Sequence, residues 1–376
     1  MRVVFCVRHN FHTSPGGAQI QILKTAEGLR KLGVSCDIVT SPEGVDWEKY
    51  DIIHLSDLTW VYDLLRYLKV LQRINKPKVL STIYWPFDDY AAHGAPFLQR
   101  LLFHIFGING FEFAKAAMKC LVQRNLVYLN GLTRTYIGNQ RRIAEQIDWF
   151  LPNAESEQKA MNERLDLNKN NYSVVNNAID VSLFDELRRI GKYDKEPNTV
   201  VCVGRIDPRK NQMALLKALY DDRDIKITFI GQPGPNSRRY AEKLQKLAEK
   251  RGNVYFLSQM PQKEVFEHLL RSCVHALPSW VETPGLVSLE AAYAGCSIVV
   301  GDRGSVHDYF REYAFYCQPD SPEDIRKNVL IALKSPPSSE LASLIQKEYS
   351  WDYAARQTLE AYENALNKFT NKGNVL

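Results

Sequence analysis

The feature that most constrains the fold of this chain is the alternation of short apolar runs with segments of helical periodicity. In the first half, strand-like runs occur at Val3–Val7, Val34–Thr40 and Ile52–Leu55, and a helical pattern closed by glycine follows the first run at 18–32. Parallel strands need a crossover connection between them, and that connection is usually a helix. The alternation therefore predicts an α/β protein with parallel sheets and helices on both faces.

The length of the chain and a polar segment near its middle indicate two such series. At 376 residues it exceeds the size at which one hydrophobic core stays efficient. A charged, aperiodic stretch at 191–198 contains glycine and proline, and a second strand–helix series begins at Thr199. We predict two doubly wound domains, residues 1–176 and 177–354. A final helix at about 355–376 has aromatic residues on one face and is predicted to return to the first domain.

Composition excludes several classes of protein. The hydrophobic content of 45% is ordinary for a globular chain, and the net charge of +5 comes without zinc-ligand spacing or an RNA-binding signature, so no nucleic-acid partner is expected. The seven cysteines are scattered and never spaced CxxC, which is typical of reduced thiols in a cytoplasmic protein. Val3–Val7 is interrupted by Arg8-His9 and is interpreted as a strand, not a signal peptide. No run approaches the roughly 20 apolar residues of a membrane span.

The stretch Ser279–Val300 reads as strand end, loop, helix, turn and strand. Thr283 is placed as the helix N-cap and Pro284 as the first helical residue, where its missing N–H costs nothing. Gly295 supplies the C-terminal stop. This order of elements is that of a ligand-binding loop between two parallel strands.

One residue in that helix breaks the apolar pattern. Glu290 falls on the same stripe as Leu286 and Tyr293, which is predicted to face the sheet. A carboxylate on a buried stripe requires partners, because an unpaired buried charge is costly. Glu282 lies in the loop eight residues earlier. The two carboxylates, one on each side of the predicted helix start, indicate a site.

Two loops contain groups suited to phosphate. Gly204 and Arg205 follow the first strand of the second half, and Lys210 lies five residues later; Arg205 could bind a phosphate bidentately and Lys210 as a point charge, although a solvated basic loop would look the same. Gly16-Gly17 after the first strand could bring backbone N–H groups to an anion or form a flexible turn. Neither a GxGxxG fingerprint after the first strand of either half nor a GxxxxGK[ST] loop is present, and neighbouring acids such as Asp88-Asp89 lack the context of a metal site.

Residues 97–142 differ in kind from the rest. They contain seven basic residues and the single acid Glu112, together with a helical pattern of large apolar residues. Basic amphipathic helices of this composition can lie on anionic membrane surfaces. In the alternative interpretation the apolar face is core and the basic face is merely solvated. The sequence leaves both interpretations open, so the protein is expected to be cytoplasmic with or without peripheral membrane contact.

A resemblance joins these features. The second half resembles the donor-binding domain of retaining glycosyltransferases of the GT-B fold, glycosyltransferase family four (glycosyl transferases group 1), and the similarity extends over essentially the whole chain. The matching positions are, in order, Gly16-Gly17, Asn177-Ala178-Ile179-Asp180 with Phe184, Gly204-Arg205, Lys210-Asn211, Phe229-Ile230-Gly231, Leu277-Pro278-Ser279, Glu282, Glu290-Ala291, Gly295, Gly304 and Ser350-Trp351. The resemblance implies two Rossmann-like domains facing across a cleft.

The resemblance also implies roles. The implied catalytic residues are Arg205 and Lys210, which would hold the diphosphate of a nucleotide sugar, and Glu282, which would bind hydroxyls of the donor sugar. Glu290 would accept hydrogen bonds from the ribose. The remaining implied donor-binding positions are Gly16, Gly17, Gly204, Gly285 and Leu286. A nucleoside-diphosphate sugar is then the co-substrate, with no further cofactor and no metal.

The implied reaction is transfer of a hexose with retention to a glycan or lipid-linked acceptor in polysaccharide or glycoconjugate synthesis. A GT-B epimerase, a phosphorylase and a non-catalytic nucleotide-sugar-binding protein are the alternatives. The chain departs from the family pattern at Tyr84-Trp85-Pro86, where members often have a histidine, and at Asn177-Ala178, Thr283-Pro284 and Gly304-Ser305. These departures leave the donor sugar and the detailed geometry open but keep the phosphate-binding residues. The sequence does not specify the base, the acceptor or the linkage.

Overall fold

The computed structural model describes residues 1–13, 16–123, 127–128, 134–234 and 236–373, without the side chains of 122–123 and 372–373. The chain divides into two compact units. Unit 1 consists of Met1–Pro86, Leu101–Asn177 and Trp351–Leu376, and unit 2 of Phe87–Arg100 and Ala178–Ser350. The segment Phe87–Arg100 belongs to unit 2, although the sequence boundaries include it in the first domain.

Unit 1 is built on a parallel sheet, as the alternating pattern predicts. Its strands are β1 (Arg2–Cys6), β2 (Ser35–Val39), β3 (Ile52–Ser56), β4 (Lys78–Ser81) and β5 (Trp149–Leu151). Their order in the sheet is β2-β1-β3-β4-β5, and all pairs are parallel. The winding reverses between β1 and β3, so unit 1 has a topological switch point at the carboxyl ends of these two strands.

The helices of unit 1 cover both faces of this sheet. They are α1 (Gly17–Lys31), α2 (Val61–Leu71), α3 (Phe97–Gln123, which begins in the segment assigned to unit 2), α4 (Tyr136–Glu145) and α5 (Glu155–Leu165). The first strand packs β-branched and aromatic side chains that are fully buried, which explains why Val3–Val7 reads as one continuous apolar run.

Unit 2 repeats the design with a larger parallel sheet. Its strands are β6 (Glu196–Val203), β7 (Lys226–Ile230), β8 (Val254–Leu257), β9 (Ser272–Leu277), β10 (Ser297–Gly301) and β11 (Phe315–Cys317). Their order is β11-β10-β9-β6-β7-β8. The winding reverses between β6 and β9, which lie side by side in the sheet.

The helices of unit 2 begin at good capping residues in several cases. They are α6 (Val181–Ile190), α7 (Gln212–Ala218), α8 (Arg238–Arg251), α9 (Gln262–Arg271), α10 (Leu286–Tyr293), α11 (Val306–Phe310), α12 (Pro322–Lys334) and α13 (Ser339–Glu348). The side chain of Asp180 accepts from Leu183 N at the start of α6, and Ser321 accepts from Asp324 N before Pro322 at the start of α12. Both are favoured N-terminal arrangements.

The last helix, α14 (Trp351–Gly373), returns to unit 1 as predicted, although it begins four residues earlier than expected. Tyr362 Oη lies 2.6 Å from Nδ1 of buried His54, and burial lowers the pKa of His54 to about 3. At the contact with α1, a Cβ on Gly28 would lie 2.6 Å from Cβ of Ala355. Glycine at this position therefore allows the two helices to pack closely. The expected fold class, two parallel-sheet α/β domains with a returning C-terminal helix, is confirmed.

Candidate functional site

Three loops of unit 2 leave the carboxyl ends of neighbouring strands. The loop after β6 runs over 204–211, the loop after β9 over 278–285 and the loop after β10 over 302–305. The order of strands reverses between β6 and β9. The carboxyl ends of these two strands are therefore where an open parallel sheet binds its ligand. All the residues that the sequence predicts for the donor site in the second half lie on these loops or on α10.

Backbone contacts fix the loops against one another. The amide of Trp280 donates to the carbonyl of Arg209 at 2.9 Å, and the amide of Ser305 donates to the carbonyl of Glu282 at 3.0 Å. At Gly304 (φ +85°) a Cβ would lie 1.8 Å from that same carbonyl oxygen, so a side chain there would push the third loop away. The backbone on both sides of Glu282 is therefore held by its neighbours.

Glu282 and Lys210 form an ion pair in the middle of this site. Nζ of Lys210 donates to Oε1 of Glu282, and both side chains are almost completely buried. Burial alone would raise the pKa of Glu282, but the charges of Lys210 and Arg209 and the hydrogen bonds from Lys210 and Ser279 outweigh it, so the pKa is lowered. The carboxylate is consequently ionised at neutral pH, and its partner lysine is the cation that holds it so.

Arg205 is the more exposed cation of the same loop. Its side chain is 51% exposed, and Nε lies 3.0 Å from Oδ2 of Asp207. Asp207 also accepts from the amide of Lys210 at 3.0 Å. One carboxylate thus orders the loop that carries both predicted phosphate-binding cations, and the guanidinium keeps most of its donors available to a ligand.

The start of α10 corrects one prediction. The helix begins at Leu286 after Gly285 (φ +82°), so Thr283 is not its N-cap and Pro284 is not its first residue. The physical reason is that the backbone at Gly285 is left-handed, so the helix cannot extend back through it to Pro284. The N–H groups at the start of α10, where Gly285 and Leu286 lie, have no acceptor within the helix, so they remain suited to an anionic or hydroxyl ligand.

Glu290 also differs from its prediction. It does not lie on the buried stripe of α10, which instead contains Ser288, Leu289, Ala291, Ala292 and Tyr293. The carboxylate is partly exposed and accepts a hydrogen bond of 2.7 Å from Nε2 of Gln262. Desolvation raises the pKa of Glu290 to about 7, against a smaller opposite effect of Gln262. The residue therefore stands at the edge of the helix face with a carboxylate that is about half ionised at neutral pH.

The two predicted donor-binding glycines of the first half lie in unit 1, apart from the loops of unit 2 along the chain. Gly16 precedes α1 and Gly17 is its first residue, so both belong to unit 1. Ser14 and Pro15 of the same predicted loop lie outside the described residues. Within unit 2 the structure brings Lys210 and Glu282 into contact, with Gly204 and Arg205 on the same loop as Lys210. Gly285, Leu286 and Glu290 follow Glu282 along the chain.

The structure adds a segment that the sequence did not assign to this site. Asp89 Oδ2 lies 2.5 Å from Nε of Arg303, which belongs to the loop after β10, and Asp89 Oδ1 lies 2.9 Å from Nδ1 of His93. The ring of His93 is stacked on Trp280, two residues before Glu282. Burial raises the pKa of Tyr90 to about 12, with the charge of Asp207 contributing. The turn at 87–94 thus packs against the loops that carry the candidate site.

Sequence reasoning had little chance of finding this contact. Asp89 and Arg303 are 214 positions apart, and no local periodicity records such a pairing. The only signal was the adjacent pair Asp88-Asp89, which the sequence analysis weighed as a metal site. Within the described ranges, no group of three or more histidine, cysteine or acidic side chains is arranged to hold a metal ion.

Comparison with known families settles the relationship of unit 2. Residues 184–351 match the family model described as glycosyl transferases group 1. The second half of the chain therefore carries a glycosyl transferases group 1 domain. The matched region begins in α6 and contains every element of the unit 2 sheet, including all three loops of the candidate site.

Curated relatives are similar at moderate identity. A D-inositol 3-phosphate glycosyltransferase of Rhodococcus erythropolis is 27% identical over 62% of this chain and 58% of its own length. One from Corynebacterium urealyticum is 25% identical over 94% of both chains. An uncharacterized 41.2 kDa protein in the cps region of Klebsiella pneumoniae is 28% identical over 46% of this chain and 48% of its own. In most of these alignments the chain spans about half the length of the relative.

Solved structures share the fold over nearly the whole chain. Sucrose-phosphate synthase from Thermosynechococcus elongatus has a TM-score of 0.70 at 16% identity and covers 96% of this chain and 98% of its own. Anabaena HepE in complex with UDP has a TM-score of 0.69 at 13% identity, covering 96% and 100%. At these identities the likeness establishes the fold of the two units.

Proposed function

We propose that this protein is a retaining glycosyltransferase that moves a hexose-type sugar from a nucleoside-diphosphate sugar to a glycan or lipid-linked acceptor. The observation that carries the proposal is the buried Lys210–Glu282 pair at the switch point of unit 2, beside the half-exposed Arg205. The match of residues 184–351 to the glycosyl transferases group 1 model supports the reaction class. The arrangement provides cations for a diphosphate and an ionised carboxylate for sugar hydroxyls. Both lie on loops at the carboxyl end of the same sheet.

The two cations have distinct tasks in this proposal. Arg205 presents a planar guanidinium that can bind a phosphate through two parallel hydrogen bonds, while Lys210 provides a point charge from a buried position. When the bond between the sugar and the diphosphate breaks, negative charge grows on the leaving phosphate. Fixed cations stabilise that charge more strongly in the transition state than in the bound donor, which lowers the barrier. Two such cations supply the charge that a metal ion provides in other transferases.

Glu282 and α10 would position the sugar and the nucleoside. The ionised carboxylate of Glu282 accepts hydrogen bonds from donor-sugar hydroxyls, and the N–H groups at Gly285 and Leu286 donate to the sugar or phosphate. Glu290 accepts from ribose hydroxyls in its ionised form. We further propose that retention arises by attack on the same face from which the diphosphate leaves, with a donor phosphate oxygen taking the proton of the acceptor hydroxyl.

The comparisons support a choice of first substrates. The UDP complex of Anabaena HepE makes uridine nucleotides the first donors to test. The names of the D-inositol 3-phosphate glycosyltransferases support an acceptor with a phosphate, and the relative in a cps region is in keeping with a role in cell-surface polysaccharide synthesis. None of the described helices is long and apolar enough to cross a membrane.

A binding and product assay tests the proposal. A panel of nucleoside-diphosphate sugars is screened for an increase in the unfolding temperature, because a ligand that binds the native state stabilises it by mass action. The donor that binds is then incubated with the protein, and release of nucleoside diphosphate and the anomeric configuration of the sugar product are followed by NMR. Binding followed by release with a retained anomer is expected. A panel in which no nucleotide sugar shifts the transition would contradict the proposal.

A further inference from the structure

The carboxylate of Glu290 has one hydrogen-bond donor and no ion pair among the residues that the structure describes. Apart from Tyr293, the polar side chains of α10 are Ser288 and Glu290, and Ser288 is fully buried with Oγ 3.2 Å from Nε2 of His275. Glu290 is only partly buried, and Nε2 of Gln262 donates to its Oε1 at 2.7 Å. No described group donates to its second oxygen, Oε2. A carboxylate oxygen that has lost part of its water needs a donor, which a ligand can supply.

Gln262 lies where it can contact the same ligand. It is the first residue of α9, directly after the loop that leaves the carboxyl end of β8, and it is exposed. Helix α10 likewise begins after the loop that leaves the carboxyl end of β9. Gln262 and Glu290 therefore meet on the side of the sheet where open parallel sheets bind their ligands.

The hydrogen bond to Glu290 orients the amide of Gln262. A carboxylate accepts hydrogen bonds, so the NH₂ end of the amide faces it and Oε1 faces another direction. In the described part of the chain, no group donates to Oε1 of Gln262. The pair thus offers two acceptor oxygens without donors, Oε2 of Glu290 and Oε1 of Gln262, on side chains joined by one hydrogen bond.

Two neighbouring acceptor oxygens fit the two hydroxyls of a vicinal diol. A ribose ring has hydroxyls on adjacent carbons, and each hydroxyl has one O–H to donate. Since Oε1 of Glu290 already accepts from Gln262, the arrangement distributes the two hydroxyls over Oε2 of Glu290 and Oε1 of Gln262. A metal ion would need more ligands than one carboxylate and one amide.

The two helices do not depend on this hydrogen bond for their packing. At their other ends, Nζ of Lys195 donates to the carbonyl of Leu269 at 3.1 Å and of Ser272 at 2.6 Å, where α9 ends. The same Nζ donates to the carbonyl of Ala294, directly after α10, at 3.2 Å. A single exposed hydrogen bond adds little to such a connection. The exposed amide is therefore better explained by a ligand than by the stability of the two helices.

We propose that Gln262 is a ribose-binding residue of the donor site and shares the two ribose hydroxyls with Glu290. Oε1 of Gln262 accepts from one hydroxyl and Oε2 of Glu290 accepts from the other, while the hydrogen bond from Nε2 keeps the two side chains aligned. This inference rests on the proposed function, because it takes the ligand of unit 2 to be a nucleoside diphosphate. The substrate class that follows is a ribonucleotide, with selection against deoxynucleotides.

The selection has a simple physical cause. A deoxynucleotide lacks one of the two donors, so it leaves one acceptor oxygen of the pair without a partner in the complex. A site built to bind a hydroxyl rejects the analogue that lacks it, since the unmatched polar group has given up its water. We expect the wild type to bind UDP about fivefold or more tightly than either its 2′-deoxy or its 3′-deoxy analogue.

The experiment is a cycle that combines a variant with a ligand analogue. Calorimetric titrations of the full chain compare UDP with its 2′-deoxy and 3′-deoxy analogues in the wild type and in Gln262→Leu. The variant should bind UDP about fivefold more weakly. It should bind one analogue, the one without the hydroxyl that Gln262 contacts, as well as the wild type does, because variant and analogue remove the same hydrogen bond. If the thermal-shift panel selects another base, the nucleoside diphosphate of that base replaces UDP.

A role of Gln262 that is only structural gives a different result. Gln262→Leu would then weaken UDP and both analogues by the same factor, and this outcome, or an unchanged affinity for UDP, would overturn the proposal. Gln245→Leu is the matched control, because Gln245 is exposed on α8 of the same unit and the chemical change is identical. The control should bind all three ligands like the wild type. Thermal unfolding of both variants confirms that they are folded.

The outcomes separate this inference from the proposed function. Sugar transfer from a nucleotide sugar together with equal losses in the cycle would refute the role of Gln262 alone. Selective loss in the cycle without any sugar transfer would refute the proposed function and leave the ribose site standing. A panel in which no nucleoside diphosphate binds would overturn both.

Discussion

At the scale of single residues, Glu282 and Lys210 are the most informative pair in the chain. Removing both charges from water costs several kcal/mol for each ion, which their mutual attraction repays only when the geometry is good. A protein that needed only stability could use two apolar residues of similar volume instead. The pair keeps a lysine and an ionised carboxylate ready at the switch point, where a diphosphate and sugar hydroxyls could take over their hydrogen bonds.

Substitution of Glu282 should reveal this pair in stability measurements. Glu282→Gln leaves Lys210 buried without its carboxylate, and we expect a loss of about 3–5 kcal/mol in the free energy of unfolding by urea at neutral pH. Because the folded pKa of Glu282 is lowered, its contribution is present above the ordinary pKa of 4.5 and is lost as the pH falls through the folded value. The difference between wild type and variant should therefore shrink in acid.

The control is Glu196→Gln, which removes an exposed pair with Lys226 and should cost less than about 1 kcal/mol. Similar losses for Glu282→Gln and Glu196→Gln would contradict the assignment of a buried, strongly coupled pair.

Glu290 gives a prediction about pH. Its pKa of about 7 means that the ionised fraction rises between pH 6 and pH 8. If the carboxylate accepts hydrogen bonds from ribose, nucleotide affinity should rise over that range in the wild type. Glu290→Gln should bind about tenfold more weakly at pH 8 and lose the pH dependence. Isothermal titration with the nucleotide measures both effects, with Glu264→Gln on exposed α9 surface as the control. An unchanged affinity and pH profile would rule out the ribose role.

At the scale of elements, the turn at 87–94 shows how a segment outside the family match reaches the candidate site. Asp89 pairs with Arg303, and His93 stacks on Trp280, so the turn is fixed to the loops after β9 and β10. A Cβ on Gly94 would lie only 2.5 Å from the Trp280 ring, so glycine at this position is what allows the turn to pack directly on that ring.

Loss of the Asp89–Arg303 pair should loosen this turn locally. In Asp89→Asn we expect faster hydrogen exchange of the amides of Ala91 and Ala95, which bond to carbonyls within the turn, and little change in the rest of unit 2. Mass spectrometric hydrogen exchange measures this. Asp222→Asn, which removes the pair with Arg326 on another part of unit 2, is the control. Protection that stays the same in the turn would show that other contacts hold it.

The contact of α1 with α14 gives a prediction about packing. Gly28→Leu places a side chain where Cβ of Ala355 is only 2.6 Å away, so overpacking should lower the free energy of unfolding by about 1–3 kcal/mol or more. Lys31→Leu on the exposed side of α1 should have little effect. The double variant Gly28→Ala, Ala355→Gly should recover stability relative to Gly28→Ala alone. Equal stability of Gly28→Leu and Lys31→Leu in urea unfolding would disprove the close approach.

At the scale of the whole molecule, the architecture was predictable because alternating strands and helices give alternating apolar runs and helical periodicity in the sequence. Buried strands such as Val3–Val7 appear as unbroken apolar runs, and loops after strands show their cations, as at Arg205 and Lys210. The start of α10 was predicted two residues too early, because the preference of Thr283 and Pro284 for a helix start is local and does not record the left-handed backbone at Gly285. The position of Glu290 was missed because the face of α10 that is buried depends on how the helix packs against its neighbours.

Long-range pairing and surface exposure are the other features that could not be predicted from the sequence. Nothing local in the sequence distinguishes Asp89, which pairs with Arg303, from a solvated acid. The apolar pattern of α3 likewise could not tell which of its residues face the core, and the structure divides them between two faces. Features that depend on tertiary contacts therefore required the structure, whereas the fold class followed from the sequence pattern.

The central claim is that Arg205 and Lys210 hold the diphosphate of a sugar donor during transfer. Its most direct test is the rate of nucleoside-diphosphate release from the donor identified by thermal shift, measured for Arg205→Ala and Lys210→Ala beside Lys217→Ala and Arg238→Ala, which alter exposed basic residues of unit 2. Loss of leaving-group stabilisation should lower kcat by about 10²-fold or more in the first two variants and leave the controls near the wild type. Near-normal turnover in both Arg205→Ala and Lys210→Ala would contradict the account.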